Sequence, residues 1–150
     1  MKERFKIFSA VHVFLVKDNW IFLLRRAHTG WSDGQYNVAQ GHIEEGETAM
    51  QCAIREAKEE AGVDVAAHDL AFAHMMHRYS IEETPPHRVY ADFFFVARTW
   101  KGEPHLAEPA KSDHANWFPL DQLPDTIIPY IRTAIQNYRK NIPFSELGWE

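Results

Sequence analysis

The chain has 150 residues, of which 45% are apolar, and this is enough for one buried core with little room for a second domain. With a formal net charge of −5, the surface as a whole does not attract polyanions as the electropositive face of a typical duplex-binding protein would, so a phosphate-bearing ligand would need a cation or an arginine nearby. Cys52 is the only cysteine, which excludes an internal disulfide and cysteine-based zinc sites, and no stretch approaches the ~20 apolar residues of a membrane span.

The first part of the chain is predicted to be β-structure. Residues 7–16 and 20–24 are apolar and β-branched and lie on either side of a turn-like segment, which indicates a hairpin. Residues 29–34 combine two glycines with Ser and Asp and predict a loop able to fold over a ligand. Residues 36–39 then predict a short strand that leads to Gly41.

The clearest helix is predicted over residues 48–61, which contain neither Gly nor Pro. Thr48 suits the N-cap position, and Gly62 stands where a C-terminal stop is expected. Small residues recur every four positions and predict a narrow apolar face that docks closely onto a sheet. We assign to this face Ala49, Ala53, Ala57 and Ala61, together with Met50 and Ile54.

After this helix the sequence predicts more β-structure and a closing helix. Strands are expected over residues 70–76, 89–100 and 115–118, with a loop at 82–86 between the first two. Residues 127–138 carry apolar side chains at helical spacing. The order of elements is that of an α+β fold.

The predicted first helix and its approach are unusually acidic, with Arg55 and Lys58 as the local counter-charges. The glutamates are Glu44, Glu45, Glu47, Glu56, Glu59 and Glu60. At about 100° per residue, the last three point towards a common space. Like charges at i,i+4 destabilise a helix by roughly 0.2–0.5 kcal/mol, and a hard dication such as magnesium or manganese reverses that effect. A solvated helix face is the alternative interpretation.

The spacing of these residues resembles the Nudix box, G-x5-E-x7-R-E-U-x-E-E-x-G-U, in which U is aliphatic. The match covers residues 41–63, and every fixed position agrees: Gly41, Glu47, Arg55, Glu56, Glu59, Glu60 and Gly62. Two departures are that Ala39-Gln40 stands where many members have Pro-Gly, and that Ala57 is small for an aliphatic position. The resemblance implies an α+β fold of the Nudix type, an α/β/α sandwich with a mixed β-sheet.

The same resemblance implies a role for each box residue. The metal, Mg²⁺ or Mn²⁺, would be held by Glu56, Glu59 and Glu60, with the backbone carbonyl of Gln40 completing its shell. Glu47 would support the metal or orient water, and Arg55 would hold the glutamates by charge-assisted bonds.

The motif does not fix the general base. Glu59 and Glu47 are candidates inside the box, and Glu83 and Glu108 are candidates outside it. We rank Glu108 first among the outsiders because it precedes the last predicted strand, although an ordinary exposed glutamate is the alternative.

For the basic residues outside the box, the sequence leaves more than one interpretation open. Arg25 and Arg26 end the second predicted strand near the glycine-containing loop, where one of them could meet a substrate phosphate; a surface role is an equal alternative. His74 and His77, with Arg78, lie on or beyond a strand and are expected at the surface or in a pocket.

The implied activity is metal-dependent hydrolysis of a phosphoanhydride bond in a nucleoside diphosphate linked to another moiety. The leading substrate candidate is a small nucleotide such as a (d)NTP. A non-catalytic nucleotide-sensing or protein-binding module is the main alternative, and action on capped or triphosphorylated RNA ends is a weaker one given the acidic balance. We expect a single domain over residues 1–150, a cytoplasmic location, and a small-molecule nucleotide as partner. We expect no membrane and no long nucleic acid, and a homodimer is left open.

Overall fold

The computed structural model describes residues 1–80 and 88–150. The described residues form eight β-strands and two α-helices, joined in one place by a short 3-10 turn. In chain order the elements are β1 (Phe8–Lys17), β2 (Trp20–Arg26), β3 (Tyr36–Asn37), β4 (Ala39–His42), α1 (Ala49–Ala61), β5 (Leu70–Ser80), β6 (Arg88–Ala97), β7 (Ser112–Pro119), α2 (Pro129–Arg139) and β8 (Phe144–Leu147).

The strands form a mixed sheet in the order β3-β2-β1-β6-β5-β8, with β4 paired to β1 and β7 paired to β2. β1 runs parallel to β6, and β5 runs parallel to β8, whereas the other pairs are antiparallel. One apolar cluster contains residues of α1 and the other contains residues of α2, so the sheet lies between the two helices. This confirms the predicted α+β sandwich.

The central strand β1 shows how the sequence builds both layers. Its side chains alternate between the two faces of the sheet, as the two-residue period of a strand requires. Val11 and Val13 belong to the α1 cluster, whereas Phe14 and Val16 belong to the α2 cluster. Because a helix covers each face, the strand reads as a nearly continuous apolar run.

Two local predictions are confirmed. β1 and β2 pair as a hairpin with a two-residue turn, in which Asp18 has a φ of 56°. α1 begins at a capping box formed by Thr48 and Gln51, and it ends at Gly62, which adopts the left-handed conformation with a φ of 73°. None of the described helices is long and apolar enough to cross a lipid bilayer.

Two local predictions need correction, and one strand was not predicted. The short strand expected over residues 36–39 is two strands, since β3 pairs with β2 while β4 pairs with β1. Met50, expected in the buried face of α1, is 37% exposed, because that face is centred on Cys52, Ala53, Glu56 and Ala57. β8 was not predicted, because it is short and its partner strand is far away in sequence. The loop expected at residues 82–86 lies outside the described residues.

Candidate active site

Two glutamates of helix α1 lie against the backbone of strand β4. Glu56 is 7% exposed and packs on Gly41, where an added Cβ would overlap the Glu56 carboxylate. One helical turn further on, Glu60 Oε2 accepts a hydrogen bond of 3.0 Å from the backbone N–H of Gln40. A residue without a side chain at position 41 is therefore what allows the Glu56 carboxylate to lie against the strand.

Arg55 links the remaining box carboxylates. Its Nε donates to Glu47 Oε2 at 2.7 Å, and its Nη1 donates to Glu56 Oε1 at 2.7 Å and to Glu59 Oε2 at 3.3 Å. The bond from Arg55 lowers the pKa of Glu47 to about 2. Arg55 thus fixes Glu47 as an ionised anchor and restrains the Glu56 carboxylate, which is the arrangement that the box resemblance implies.

The carboxyl groups of Glu56 and Glu60 have too little positive charge nearby to offset the cost of ionising them. Burial raises the pKa of Glu56 to about 7, with the charge of Glu59 adding to the effect and Arg55 opposing it. Burial raises the pKa of Glu60 to about 8, opposed by the Gln40 N–H and increased by the charges of Glu56 and Glu108. A bound cation would relieve this electrostatic cost.

The donors at this site suit a hard dication, because they are carboxylate oxygens. In the part of the chain that the structure describes, no three acidic, histidine or cysteine side chains are yet gathered as a metal-binding cluster. Glu59 is bonded to Arg55, whereas Glu60 is bonded to the backbone of Gln40. The Glu59 side chain is 46% exposed, so it has room to exchange Arg55 for a cation.

A cavity of about 470 Å³ opens beside these carboxylates, a size that fits a small organic ligand. Its wall combines acidic, basic and aromatic side chains. The lining residues include Glu56, Glu60, Arg26, Arg78, Lys111, Trp31, Tyr90 and Tyr130.

The structure separates the two arginines that the sequence pairs. Arg26 lines the cavity, donates from Nε to the Trp31 carbonyl at 2.8 Å, and lies 4.8 Å from the centre of the Trp31 ring. Arg25 instead donates to Asp113 at 2.8 Å, and it is absent from the described residues that line the cavity. The expected contact with substrate therefore has a structural basis for Arg26 and not for Arg25.

The loop before β7 brings Glu108 near the acidic site. The backbone N–H of Ala107 donates to the Glu60 carbonyl at 3.2 Å, and the Glu108 charge contributes to the raised pKa of Glu60. Lys111, which pairs with Glu108 at 3.3 Å, lines the cavity and lowers the pKa of both Glu56 and Glu60. Glu83, the other base candidate outside the box, lies outside the described residues.

A buried polar network forms another part of the cavity wall. Arg78 is 5% exposed, and its Nε donates to Asp92 Oδ2 at 2.7 Å. Burial alone would raise the pKa of Asp92, but its bonds to His12 and Arg78 bring the pKa below its ordinary value. Burial lowers the pKa of His12, so a neutral His12 donates its Nε2–H to Asp92 Oδ1 at 3.1 Å.

His74, expected at the surface or in a pocket, is fully buried, which corrects that expectation. Both of its ring nitrogens are bonded at 2.7 Å, one to the Ile142 carbonyl and the other to Ser145 Oγ. This histidine therefore joins β5 to the last part of the chain. His77 does lie at the surface, where its ring packs on Trp149 with centres 4.7 Å apart.

Comparison with known proteins decides the family. A family model described as the NUDIX domain matches residues 6–138. This chain belongs to the Nudix family. The 8-oxo-dGTP diphosphatase of Escherichia coli (strain K12) is 30% identical over 99 residues, which cover 66% of this chain and 71% of that protein.

This chain matches less than a third of the length of two other relatives. The NAD-capped RNA hydrolase NudC of Vibrio atlanticus (strain LGP32) is 43% identical over 61 residues, which are 41% of this chain and 22% of that protein. The corresponding protein of Stutzerimonas stutzeri (strain A1501) is 30% identical over 95 residues, and the match spans 30% of its length.

Solved Nudix structures share the fold. The MutT NUDIX hydrolase from Burkholderia pseudomallei superposes with a TM-score of 0.77 at 21% identity and covers 87% of this chain and 97% of that chain. A NUDIX hydrolase from Nitrosomonas europaea gives a TM-score of 0.76 at 20% identity, with 93% of each chain covered.

Beyond the Nudix box, the cavity residues Lys111, Tyr90 and Tyr130 could not be predicted from the sequence, and no role could be predicted for Arg78. The box spacing says nothing about them, because they lie on other elements. One signal was present: His12 and Asp92 each interrupt an otherwise apolar strand, and a buried polar residue in such a strand calls for a partner.

Proposed function

We propose that this Nudix chain is a Mg²⁺- or Mn²⁺-dependent hydrolase that cleaves a phosphoanhydride bond in a small nucleotide, with a nucleoside triphosphate as the leading substrate class. The observation that carries the proposal is that Gly41 and Gln40 of β4 hold the carboxylates of Glu56 and Glu60 at the wall of a cavity of about 470 Å³. The names of two relatives, an 8-oxo-dGTP diphosphatase and a dihydroneopterin triphosphate diphosphatase, support a triphosphate substrate.

A bound dication would offset charge on the phosphate oxygens and make a water molecule more acidic. Glu56 and Glu60 would hold the ion together with Glu59 and the Gln40 carbonyl. Arg55 would keep the Glu56 carboxylate in position through its 2.7 Å bond. These roles require glutamates that are ionised when the ion is present, and binding of the ion would lower the raised pKa values.

Two cations of the cavity wall, Arg26 and Lys111, would receive the phosphates. Arg26 is held by Trp31 and Thr29, and Lys111 is held by Glu108. Charge-assisted bonds from such groups would orient the diphosphate for in-line attack.

Among the described residues, two good candidates are left for the base that takes the proton from water. Glu47 is a poor base, since its pKa is about 2 and two nitrogens of Arg55 bind it. Glu59 lies in the box and is half-exposed, and Glu108 lies near Glu60 on the loop before β7. A Glu59→Gln and Glu108→Gln pair would assign the role by comparing their pH profiles of kcat.

The decisive experiment is a hydrolysis panel with Mg²⁺, which contains nucleoside triphosphates, nucleotide sugars, dinucleoside polyphosphates and NAD-capped RNA. Phosphate, pyrophosphate and nucleoside monophosphate are measured separately, because the products report which bond breaks. We expect release from at least one nucleotide and loss of that release in Glu56→Gln. Absence of release with both Mg²⁺ and Mn²⁺ would leave a non-catalytic binding module as the better description. Equal release by the wild type and Glu56→Gln would instead show that Glu56 does not hold the metal.

A further inference from the structure

The guanidinium of Arg78 is held on one edge and on both faces. Nε and Nη2 donate to the two oxygens of Asp92 at 2.7 and 3.4 Å. The Cζ atom lies 4.3 Å from the ring centre of Tyr90 and 3.7 Å from that of Tyr130. A guanidinium carries five N–H donors in one plane, so those that Asp92 does not take lie on the opposite edge.

The support beneath Arg78 is rigid. Asp92 is completely buried, and its second partner His12 is also completely buried, with its ring stacked on Phe94 at 4.5 Å. Packed apolar residues of similar volume are often at least as stabilising as a buried ion pair. The presence of this network in a cavity wall therefore indicates that a fixed, charged donor is useful there.

The sheet register places Arg78 away from the acidic site. Gln40 on β4 pairs with β1, and β1 pairs with β6, which carries Tyr90 and Asp92. Neighbouring strands are about 4.8 Å apart, so Asp92 on β6, which holds Arg78, lies two strands or about 10 Å across the sheet from β4. If the diphosphate of a substrate bound beside Glu56 and Glu60, the opposite end of that substrate would contact Arg78.

The N–H groups on the remaining edge of Arg78 determine which chemical groups of a ligand it can bind. Tyr90 and Tyr130 cover its faces, so a heterocycle cannot stack on it and must meet it edge-on. Arg has donors and no acceptor, so it binds a carbonyl oxygen and rejects an amino group at the same place.

We propose that Arg78 is a specificity-determining residue that donates hydrogen bonds to an oxo group on the heterocycle of the substrate, and that Asp92 and His12 are its positioning residues. The inference rests on the proposed function for the statement that the ligand is a nucleotide. It predicts that the heterocycle of the substrate carries an oxo group. A heterocycle with an amino group at the same place, as in adenine, should bind less well.

Two nucleotide pairs, all as 5′-triphosphates, test the oxo group: inosine against purine riboside at position 6, and uridine against its 4-deoxy analogue at position 4. In each pair, loss of the oxo group also turns the neighbouring ring N–H into a lone pair. We expect kcat/KM to favour the oxo member of at least one pair by about 10- to 100-fold, as for a hydrogen bond to a charged group. Arg78→Lys should remove most of this preference, because one ammonium cannot serve both Asp92 and the substrate. Arg98→Lys, which changes an exposed arginine bonded to Tyr138, is the matched control.

A binding measurement separates this inference from the hydrolase proposal. Calorimetry with the corresponding diphosphates and Mg²⁺ compares the wild type with Arg78→Lys and with Asp92→Asn, which keeps Arg78 but weakens its support. An Arg78-dependent preference for the oxo diphosphate supports the inference even when no nucleotide is hydrolysed, and in that case the hydrolase proposal fails alone. Equal binding of each pair by the wild type, binding of none, or an unchanged preference in both variants overturns it.

Discussion

Replacing Glu60 with glutamine probes the electrostatic strain of the metal-free site. Burial raises the pKa of Glu60 from 4.5 to about 8 in the folded protein. A carboxyl group with a raised folded-state pKa contributes stability that is fully present below the unfolded value of 4.5 and is lost as pH rises through the folded value of about 8. Without the metal, the wild type should therefore lose stability across that range.

The size of the loss follows from the shift. The whole shift corresponds to about 5 kcal/mol. Glu60 borders a cavity that admits water, which raises the effective dielectric constant, so we expect a net loss of about 2–3 kcal/mol. Glutamine is neutral at every pH and its side-chain oxygen can still accept from the Gln40 N–H, so Glu60→Gln should avoid this loss.

The assay is urea unfolding in the presence of a chelator, at about pH 5 and about pH 9. We expect the two proteins to be of similar stability at the lower pH and the variant to be more stable by about 2–3 kcal/mol at the higher pH. Glu45→Gln, at an exposed position, is the matched control and should change stability by less than about 0.5 kcal/mol at both. A wild type whose stability does not fall between these pH values, or a variant less stable at the higher pH, would refute the reasoning. With Mg²⁺ present, the same variant should lose turnover by at least about 100-fold.

Three further substitutions test the support of the site. Gly41→Ala should lower Mg²⁺ affinity and kcat at least about 10-fold, because the new Cβ overlaps the Glu56 carboxylate; unchanged affinity by calorimetry would contradict this. Arg55→Lys should reduce kcat about 10- to 100-fold, since an ammonium cannot bind Glu47 through two nitrogens and also hold Glu56; kinetics at saturating Mg²⁺ equal to those of the wild type would argue against it. Thr48→Ala should destabilise the fold by about 1 kcal/mol through loss of the capping box, measured by urea unfolding, and Thr48→Ser should restore most of that loss.

The sequence by itself determined the features that depend on short spacings. The N-cap at Thr48 and the stop at Gly62 follow from interactions within one helix, and the β1–β2 hairpin follows from two apolar runs joined by a turn. The Nudix box is likewise a local pattern, because the helical repeat sets Glu56, Glu59 and Glu60 on one side of α1. Fold class, family and the acidic centre could therefore be predicted.

The tertiary structure decided which distant residues share the cavity. Arg78, Asp92 and His12 meet because β1 runs parallel to β6 and β6 pairs with β5 in one register, with 80 residues between His12 and Asp92 in the chain. A shift of one residue in either pairing would turn these side chains to the opposite face of the sheet. Strand order and register are set by the packing of both helices on the whole sheet, so no short segment of sequence encodes them.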